Sequence, residues 1–131
     1  MNKQEKTELV KYRIAKARQT LNEVPILIQS NFLNNAINRL YYACFYGVSA
    51  LLLDRNIQAK SHAGTKQMFG LHFVKTGILT EEANDFFKLV FELRHTGDYD
   101  DYIVFDLKEV TSLLQPATDF ITQIEAILSK D

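Results

Sequence analysis

Apolar residues dominate one continuous stretch of the chain, NFLNNAINRLYYACFYGVSALLLDR, which runs from Asn31 to Arg55. Its inner 22 residues contain a single formal charge, that of Arg39. Apolar and aromatic side chains lie all the way around a helix of this sequence, so we predict a central helix that is buried on most of its circumference. Asn31 is the predicted N-cap of this helix, and the polar triplet that ends at Asn56 marks its end.

The flanking sequence has the spacing of amphipathic helices, and no long stretch alternates polar and apolar residues as a half-buried strand would. We predict a first helix over about residues 4–22, which Pro25 ends or kinks. We predict a third helix over about residues 63–75, followed by Gly77 in a left-handed C-terminal position.

Two further helices are predicted in the second half of the chain. Thr80 is the predicted N-cap of the fourth helix, which has two glutamates in its first turn and runs as far as Gly97. The last helix has a start resembling a capping box at Asp106 and runs to about residue 129, with Pro116 kinking it or starting its second half. Short connections between these helices predict an antiparallel all-α bundle, with the central helix in the middle and the fourth helix against it.

Length and composition narrow the class of protein. The 131 residues form one domain, and 47% hydrophobic with 24% charged residues is the balance of a globular protein. The net charge of −1 does not indicate a nucleic-acid-binding protein, but it does not exclude a local basic patch that binds nucleic acid. Cys44 is the lone cysteine, so we expect a buried thiol in a reducing cytoplasm. The sequence shows no signal peptide and no uninterrupted apolar run long enough to cross a membrane.

The second unusual segment surrounds Arg94. This residue follows apolar residues at helical spacing, so its cation extends the buried face of the fourth helix. Asp98 comes four residues later and is placed to pair with it, and Arg39 reaches the same cluster if the two helices pack antiparallel. Two interpretations are equally open: an ion-pair network that fixes helix register, and a site for phosphate, which guanidinium groups bind well. The same segment adds polar groups from Tyr99, Asp101 and Tyr102.

The three histidines, His62, His72 and His95, follow no metal-binding spacing, so no metal site and no cofactor is predicted. His95 adjoins Arg94 and is the best acid–base candidate, although neighbours on a helix point about 100° apart. A modestly basic band around the third helix is interpreted as a solvated face, with a shallow site for RNA or nucleotide phosphates as the alternative. That band comprises Lys60, Lys66, Lys75, His62 and His72.

Several motifs together resemble one protein family. The central helix carries AINRLYYACF at residues 36–45, which is similar to the A-x-x-R-x-Y-Y-A-x-F helix of the HEPN superfamily. The segments KSHAG at 60–64 and FVKTG at 73–77, and then Arg94-x-x-x-Asp98, follow in the order and spacing of its small stand-alone bacterial and archaeal branch. The resemblance spans about residues 4–128.

This resemblance implies an up-and-down four-helix bundle with an additional short helix, and a homodimer with its groove at the subunit interface. It also implies a toxin whose antitoxin is a small nucleotidyltransferase. Members that act as metal-independent ribonucleases carry an arginine, a polar residue, and a histidine four to six positions after the arginine. Here Arg94 and His95 match the first two, and residues 98–100 contain no histidine. In some toxin–antitoxin pairs of this family, the antitoxin adenylylates a tyrosine just after the histidine motif. Tyr99 and Tyr102 lie in the comparable region, but their spacing from Arg94 differs from that of the modified tyrosine.

Three hypotheses about function follow. The first is the toxin or RNA- or nucleotide-binding component of a nucleotidyltransferase–HEPN pair. The second is a metal-independent ribonuclease that uses Arg94 and His95. The third is a non-catalytic helical dimer in which a network of Arg39 and Asp98 serves folding only. The predicted groove residues are Arg39, Asp98, Tyr99, Tyr102, Lys60 and His62.

Overall fold

The computed structural model describes residues 1–100 and 102–130, and the regular elements in these ranges are helical. An up-and-down bundle is formed by helices α1 (Lys3–Gln29), α2 (Leu33–Asp54), α4 (Glu81–Tyr99), and the consecutive pair α5 (Leu107–Ser112) and α6 (Leu114–Leu128). The additional short helix is α3 (His62–Phe69), which a π-helical segment (Gly70–Val74) continues. The predicted all-α architecture is confirmed.

Helix α2 is the centre of the bundle and packs against α1, α4 and α6. Its side chains at Ile37, Leu40, Tyr41 and Leu51 are at most 1% exposed. Burying a large apolar side chain stabilises the fold by roughly 1.5–3 kcal/mol, so this helix is a major source of stability. The predicted buried central helix is confirmed.

The turn between α1 and α2 differs from the prediction. Asn31 has a φ of 60° and follows the end of α1, whereas Phe32 occupies the N-cap position of α2 and makes no side-chain capping bond. The N–H of Phe32 donates to the carbonyl of Leu27 at 2.8 Å, and that of Asn31 donates to Ile28 at 3.0 Å. This pair of bonds is a Schellman motif, in which asparagine tolerates the left-handed conformation. The prediction of Asn31 as an N-cap is therefore wrong.

Helix α1 continues through Pro25 to Gln29, so the predicted end near residue 22 is wrong. Proline at this position removes one backbone hydrogen bond of the helix. Leu27 and Ile28, which follow it, pack against the hydrophobic core. Their burial offsets the lost bond and keeps the last turn helical.

The fourth helix begins as predicted, because Thr80 Oγ1 accepts a hydrogen bond from the N–H of Ala83 at 3.1 Å. Asp106 precedes α5 without a side-chain capping bond, so the predicted capping box is wrong. Pro116 lies in the first turn of α6, where its missing N–H costs little, and the last helix is divided as predicted. Among the described helices, none combines the length and the apolar character needed to cross a membrane.

Candidate functional site

Two adjacent tyrosines of α2 form the base of the candidate site. The ring of Tyr41 is fully buried and stacks on Phe87 of α4, with 6.1 Å between ring centres and 6° between planes. Phe91 of the same helix meets the Tyr41 ring edge-on at 5.8 Å. Tyr42 lies beside Tyr41 and is only partly buried. Packing of these aromatic rings fixes the position of both phenols relative to α4.

Arg94 reaches this base from α4. Its Nε donates a hydrogen bond to Asp98 Oδ2 at 2.9 Å, which is the ion pair predicted between these residues. The guanidinium carbon lies 5.2 Å from the centre of the Tyr41 ring and 5.5 Å from that of Tyr42. Burial would lower the pKa of Arg94, but the bond to Asp98 and the neighbouring phenols leave it raised. With its side chain 15% exposed, Arg94 is a fixed cation at the rim of the site.

Arg39 approaches the same ring from its own helix. Its guanidinium carbon lies 5.2 Å from the centre of the Tyr42 ring. Its Nε and Nη2 donate to Asn38 Oδ1 at 3.1 and 2.8 Å. Among the described residues no carboxylate pairs with it, so the pairing of Arg39 with Asp98 that the third hypothesis requires is not seen there. Asp98 pairs with Arg94 instead, and Arg39 is partly exposed.

The histidine at this site is His62, the first residue of α3. Its Nδ1 lies 2.7 Å from the hydroxyl oxygen of Tyr41, within hydrogen-bond distance. Its ring stacks on Phe45 with 4.5 Å between centres and meets Tyr42 edge-on at 5.7 Å. Desolvation, and then the positive charge of Arg94, lower the pKa of His62 below its usual value of 6.5. His62 is therefore neutral at physiological pH.

Tyr41 links the two charged or polar groups of the site. Burial raises the pKa of this phenol, while the nearby positive charge of Arg94 acts in the opposite direction. Arg94 packs on the Tyr41 ring and His62 is within hydrogen-bond distance of its hydroxyl, so α4, α2 and α3 meet at this one side chain. Such a connection orients the imidazole more strictly than packing alone would.

The other predicted site residues lie away from this centre. His95 is exposed, and its ring packs on Tyr99 with 4.7 Å between ring centres. Tyr99 and Tyr102 are 70% and 95% exposed. Lys60 is also exposed, in the segment before α3. Asp101, which the sequence placed in the same cluster, lies outside the described residues.

The basic band predicted around α3 is spread out. Lys66 places its ammonium 4.4 Å from the centre of the Phe91 ring, and Lys75 is exposed beyond the π-helical segment. In residues 1–100 and 102–130, no group of three or more His, Cys, Asp or Glu side chains is arranged to hold a metal ion. The chemistry available at the site is therefore that of cations, phenols and one imidazole.

A groove of about 840 Å³ lies at another place in the bundle. It runs along α1 beside the ends of α2 and α6, and its cations include Lys3, Lys6 and Lys11. Arg18 also lines it and is paired with Glu125. None of the predicted site residues lines this groove.

Sequence reasoning did not assign a role to Tyr41 or Tyr42 and ranked His95 above His62. A signal for Tyr41 is present in the sequence, because a tyrosine within a helix predicted to be buried needs a partner for its hydroxyl. The partner itself cannot be read from helical spacing, since His62 follows a connection of irregular structure.

Comparison with known proteins gives consistent matches over nearly the whole chain. The family model described as "HEPN domain" matches residues 10–127. The chain is 37% identical to a "UPF0332 protein" of Thermotoga maritima, over 95% of this chain and 94% of that protein. It is 36% identical to a protein of Methanocaldococcus jannaschii named "Putative toxin", over 94% of this chain and 83% of that protein. A second protein of the same organism and similar name is 32% identical, over 87% and 84% of the two chains.

Proposed function

Because the chain belongs to the HEPN family, we propose that it is a toxin-like protein whose Arg94 site binds RNA or a nucleotide. The observation that carries this proposal is the position of the Arg94 guanidinium, which Asp98 holds beside the rings of Tyr41 and Tyr42. Arg39 adds a second guanidinium next to Tyr42. Cations beside an aromatic ring are the groups with which proteins bind phosphates and unstacked bases.

The charges and hydrogen-bond donors of the site favour an anionic ligand. Asp98 engages Nε of Arg94, which leaves the outer nitrogens of that guanidinium available to phosphate oxygens. Two arginines against one aspartate leave an excess positive charge around Tyr42. The partly exposed ring of Tyr42 offers a surface on which a base stacks, and such stacking contributes about 1–3 kcal/mol per base.

The proposal extends to partners. Relatives with the word toxin in their names support a toxin-like role, and the family resemblance suggests a homodimer and a small nucleotidyltransferase as antitoxin. The segment that follows Arg94 supports a partner surface, since Tyr99, Tyr102 and Val104 are 70%, 95% and 90% exposed. Large apolar side chains that cluster on a surface are typical of protein interfaces.

Binding to a fluorescent single-stranded RNA tests the role of the site. We expect Arg94→Ala to weaken binding by about 10–100-fold, because hydrogen bonds to charged groups contribute about 1.5–3 kcal/mol. Arg18→Ala is the matched control, as Arg18 pairs with Glu125 outside the site. Circular dichroism verifies that both variants are folded. Equal loss in both variants, or no loss in Arg94→Ala, would contradict the proposal.

Expression in bacterial cells tests the toxin-like role. We expect the chain alone to slow growth, and Arg94→Ala to relieve the inhibition at the same protein level. Co-expression of a small nucleotidyltransferase encoded beside the gene should restore growth of cells that carry the unaltered chain. Normal growth of cells that express the chain without any partner would refute the toxin-like role. It would not affect the result of the RNA-binding measurement.

RNA cleavage is a second candidate function, favoured by the presence of one imidazole close to Arg94. That imidazole belongs to His62, whereas His95 packs on Tyr99. Incubation of structured RNA with the unaltered chain, His62→Ala and His95→Ala distinguishes the two histidines. We expect His95→Ala to behave as the unaltered chain does. If cleavage is absent from all three and Arg94→Ala only reduces stability, the site serves folding in a helical dimer.

A further inference from the structure

The hydrogen bond between Tyr41 and His62 determines what His62 presents to a ligand. We propose that His62 is a third anion-binding residue of the Arg94 site, and that it takes up one proton when a doubly charged phosphate binds. This inference rests on the proposed function and adds the class of ligand: a terminal phosphate, which carries two charges, rather than the phosphodiester within an RNA chain.

The first step concerns the tautomer of the free site. The hydroxyl of Tyr41 has one proton to donate, and a guanidinium cannot accept it. Among the described residues, His62 Nδ1 is the acceptor within hydrogen-bond distance, at 2.7 Å. Neutral His62 therefore carries its proton on Nε2. That nitrogen has no hydrogen-bond partner in the described part of the chain, and the ring is partly exposed, so Nε2–H is available to a ligand.

The second step concerns the groups that face His62. From α2 these are the phenols of Tyr41 and Tyr42, and from α4 the guanidinium of Arg94. On its own helix, Lys66 is a further cation nearby in sequence. The carboxylate of Asp98 is engaged by Arg94. The free site therefore disfavours a positive charge on His62, and a bound anion removes that penalty.

The third step compares ligand charges. Arg39 and Arg94, which lie against the Tyr42 ring, and Asp98, which pairs with Arg94, together carry one net positive charge, which matches a phosphodiester. Lys66 lies on the Phe91 ring instead. A terminal phosphate carries about two negative charges near neutral pH, so one positive charge is missing. Protonation of His62 supplies it, and both ring nitrogens then become donors. Nδ1–H now donates to the Tyr41 oxygen, while Nε2–H remains directed at the ligand.

Inorganic sulfate is the first probe, because it keeps both charges in mildly acidic solution and any pH dependence then comes from the protein. Sulfate is titrated into the full chain, and the imidazole signals of the three histidines are followed by NMR. We expect sulfate to raise the pKa of His62 and, at constant pH, to leave the ring signals of His72 in place. Affinity should increase about three- to tenfold between about pH 7.5 and pH 5.5, since one linked proton gives at most about tenfold per pH unit.

Two matched variants separate His62 from the other histidines. His62→Gln keeps a side-chain N–H donor without a titrating group, so we expect its affinity for sulfate to show no increase between about pH 7.5 and pH 5.5. His95→Gln should retain the full pH dependence, because His95 lies apart on Tyr99. A pH dependence that persists in His62→Gln, or disappears in His95→Gln, would overturn the inference.

Short RNAs test the ligand class. A tetranucleotide with a 5′-phosphate and the same tetranucleotide with a 5′-hydroxyl are compared by calorimetry in buffers of different ionisation enthalpy. When the 5′-phosphate RNA binds, we expect the unaltered chain to take up more protons than His62→Gln does. When the 5′-hydroxyl RNA binds, we expect the two proteins to take up the same number of protons. If neither RNA binds, both proposals fail. If binding requires Arg94 but the unaltered chain and His62→Gln take up equal numbers of protons with the 5′-phosphate RNA, only the role of His62 is refuted.

Discussion

Replacing Tyr41 with phenylalanine removes one hydroxyl from the centre of the site and leaves the ring in place. The phenylalanine ring can keep the stacking on Phe87 and the edge contact with Phe91, because neither involves the oxygen. The lost interaction is the 2.7 Å hydrogen bond with His62, because Arg94 contacts the ring rather than the hydroxyl. The substitution therefore tests the polar connection without creating a cavity.

The expected cost follows from the surroundings of the two partners. A typical internal hydrogen bond contributes about 0.5–1.5 kcal/mol, and an unsatisfied buried partner adds more. His62 is partly exposed, so water can replace the phenol at Nδ1 and the cost stays moderate. We expect the free energy of unfolding to fall by about 1–1.5 kcal/mol. For a chain of this length that corresponds to a melting temperature about 4–6 °C lower.

Urea and thermal unfolding, followed by circular dichroism near pH 7.5, measure this cost while His62 is neutral. Tyr102→Phe is the matched control, because Tyr102 is 95% exposed and its hydroxyl is solvated. We expect the control to remain within about 0.5 kcal/mol of the unaltered chain. His62→Ala and the double variant complete a double-mutant cycle, which isolates the interaction between the two side chains.

The cycle has a decisive outcome. We expect Tyr41→Phe to cost less in the His62→Ala background than in the unaltered chain, by about 0.5–1.5 kcal/mol. An equal cost in both backgrounds would mean that the hydrogen bond contributes nothing to stability. The tautomer assigned to His62, and the proton uptake inferred from it, would then lose their physical basis.

Three further measurements examine the core and the site. Phe87→Ala should lower the free energy of unfolding, measured in urea, by about 3–5 kcal/mol, because this fully buried ring stacks on Tyr41 and Phe120. A loss below about 2 kcal/mol would contradict that packing. Folding lowers the pKa of His62, so the unfolded chain binds that proton more tightly than the folded chain does. The free energy of unfolding, compared with that of His62→Gln, should therefore decrease as pH falls below about 6.5. An increase over the same pH range would contradict this direction of the pKa shift. The Cys44 thiol is fully buried, and burial raises its pKa. A disulfide reagent should therefore label Cys44 only as fast as the chain unfolds. Rapid labelling of the folded chain would mean that the thiol lies at the surface.

Features set by local spacing were predictable from the sequence. The ion pair of Arg94 with Asp98 joins residues four apart on one helix, a separation that places side chains on the same face. The N-cap role of Thr80 depends on the next three residues alone. The buried α2 follows from a run of residues with a single charge. Each of these predictions needed only the geometry of one helix.

Features that depend on packing between elements were not predictable in this way. His62 meets Tyr41 because α3 begins beside the middle of α2, and no periodicity of either helix gives that placement. For the same reason, the sequence leaves open whether Arg39 pairs with Asp98, since that pairing depends on a distance between two helices. Asn31 was misassigned because asparagine serves both as an N-cap and as a left-handed residue after a helix.

The site of this protein is divided among segments that are synthesised at different times. Tyr41 and Tyr42 are made first, His62 follows, and Arg94 comes from a helix that ends at Tyr99. A nascent chain that has not yet released α4 from the ribosome therefore holds the phenols without the guanidinium, so the site is incomplete. Domains tend to fold as units once enough of the chain has emerged. We therefore expect the proposed binding to begin only after α4 has left the ribosome.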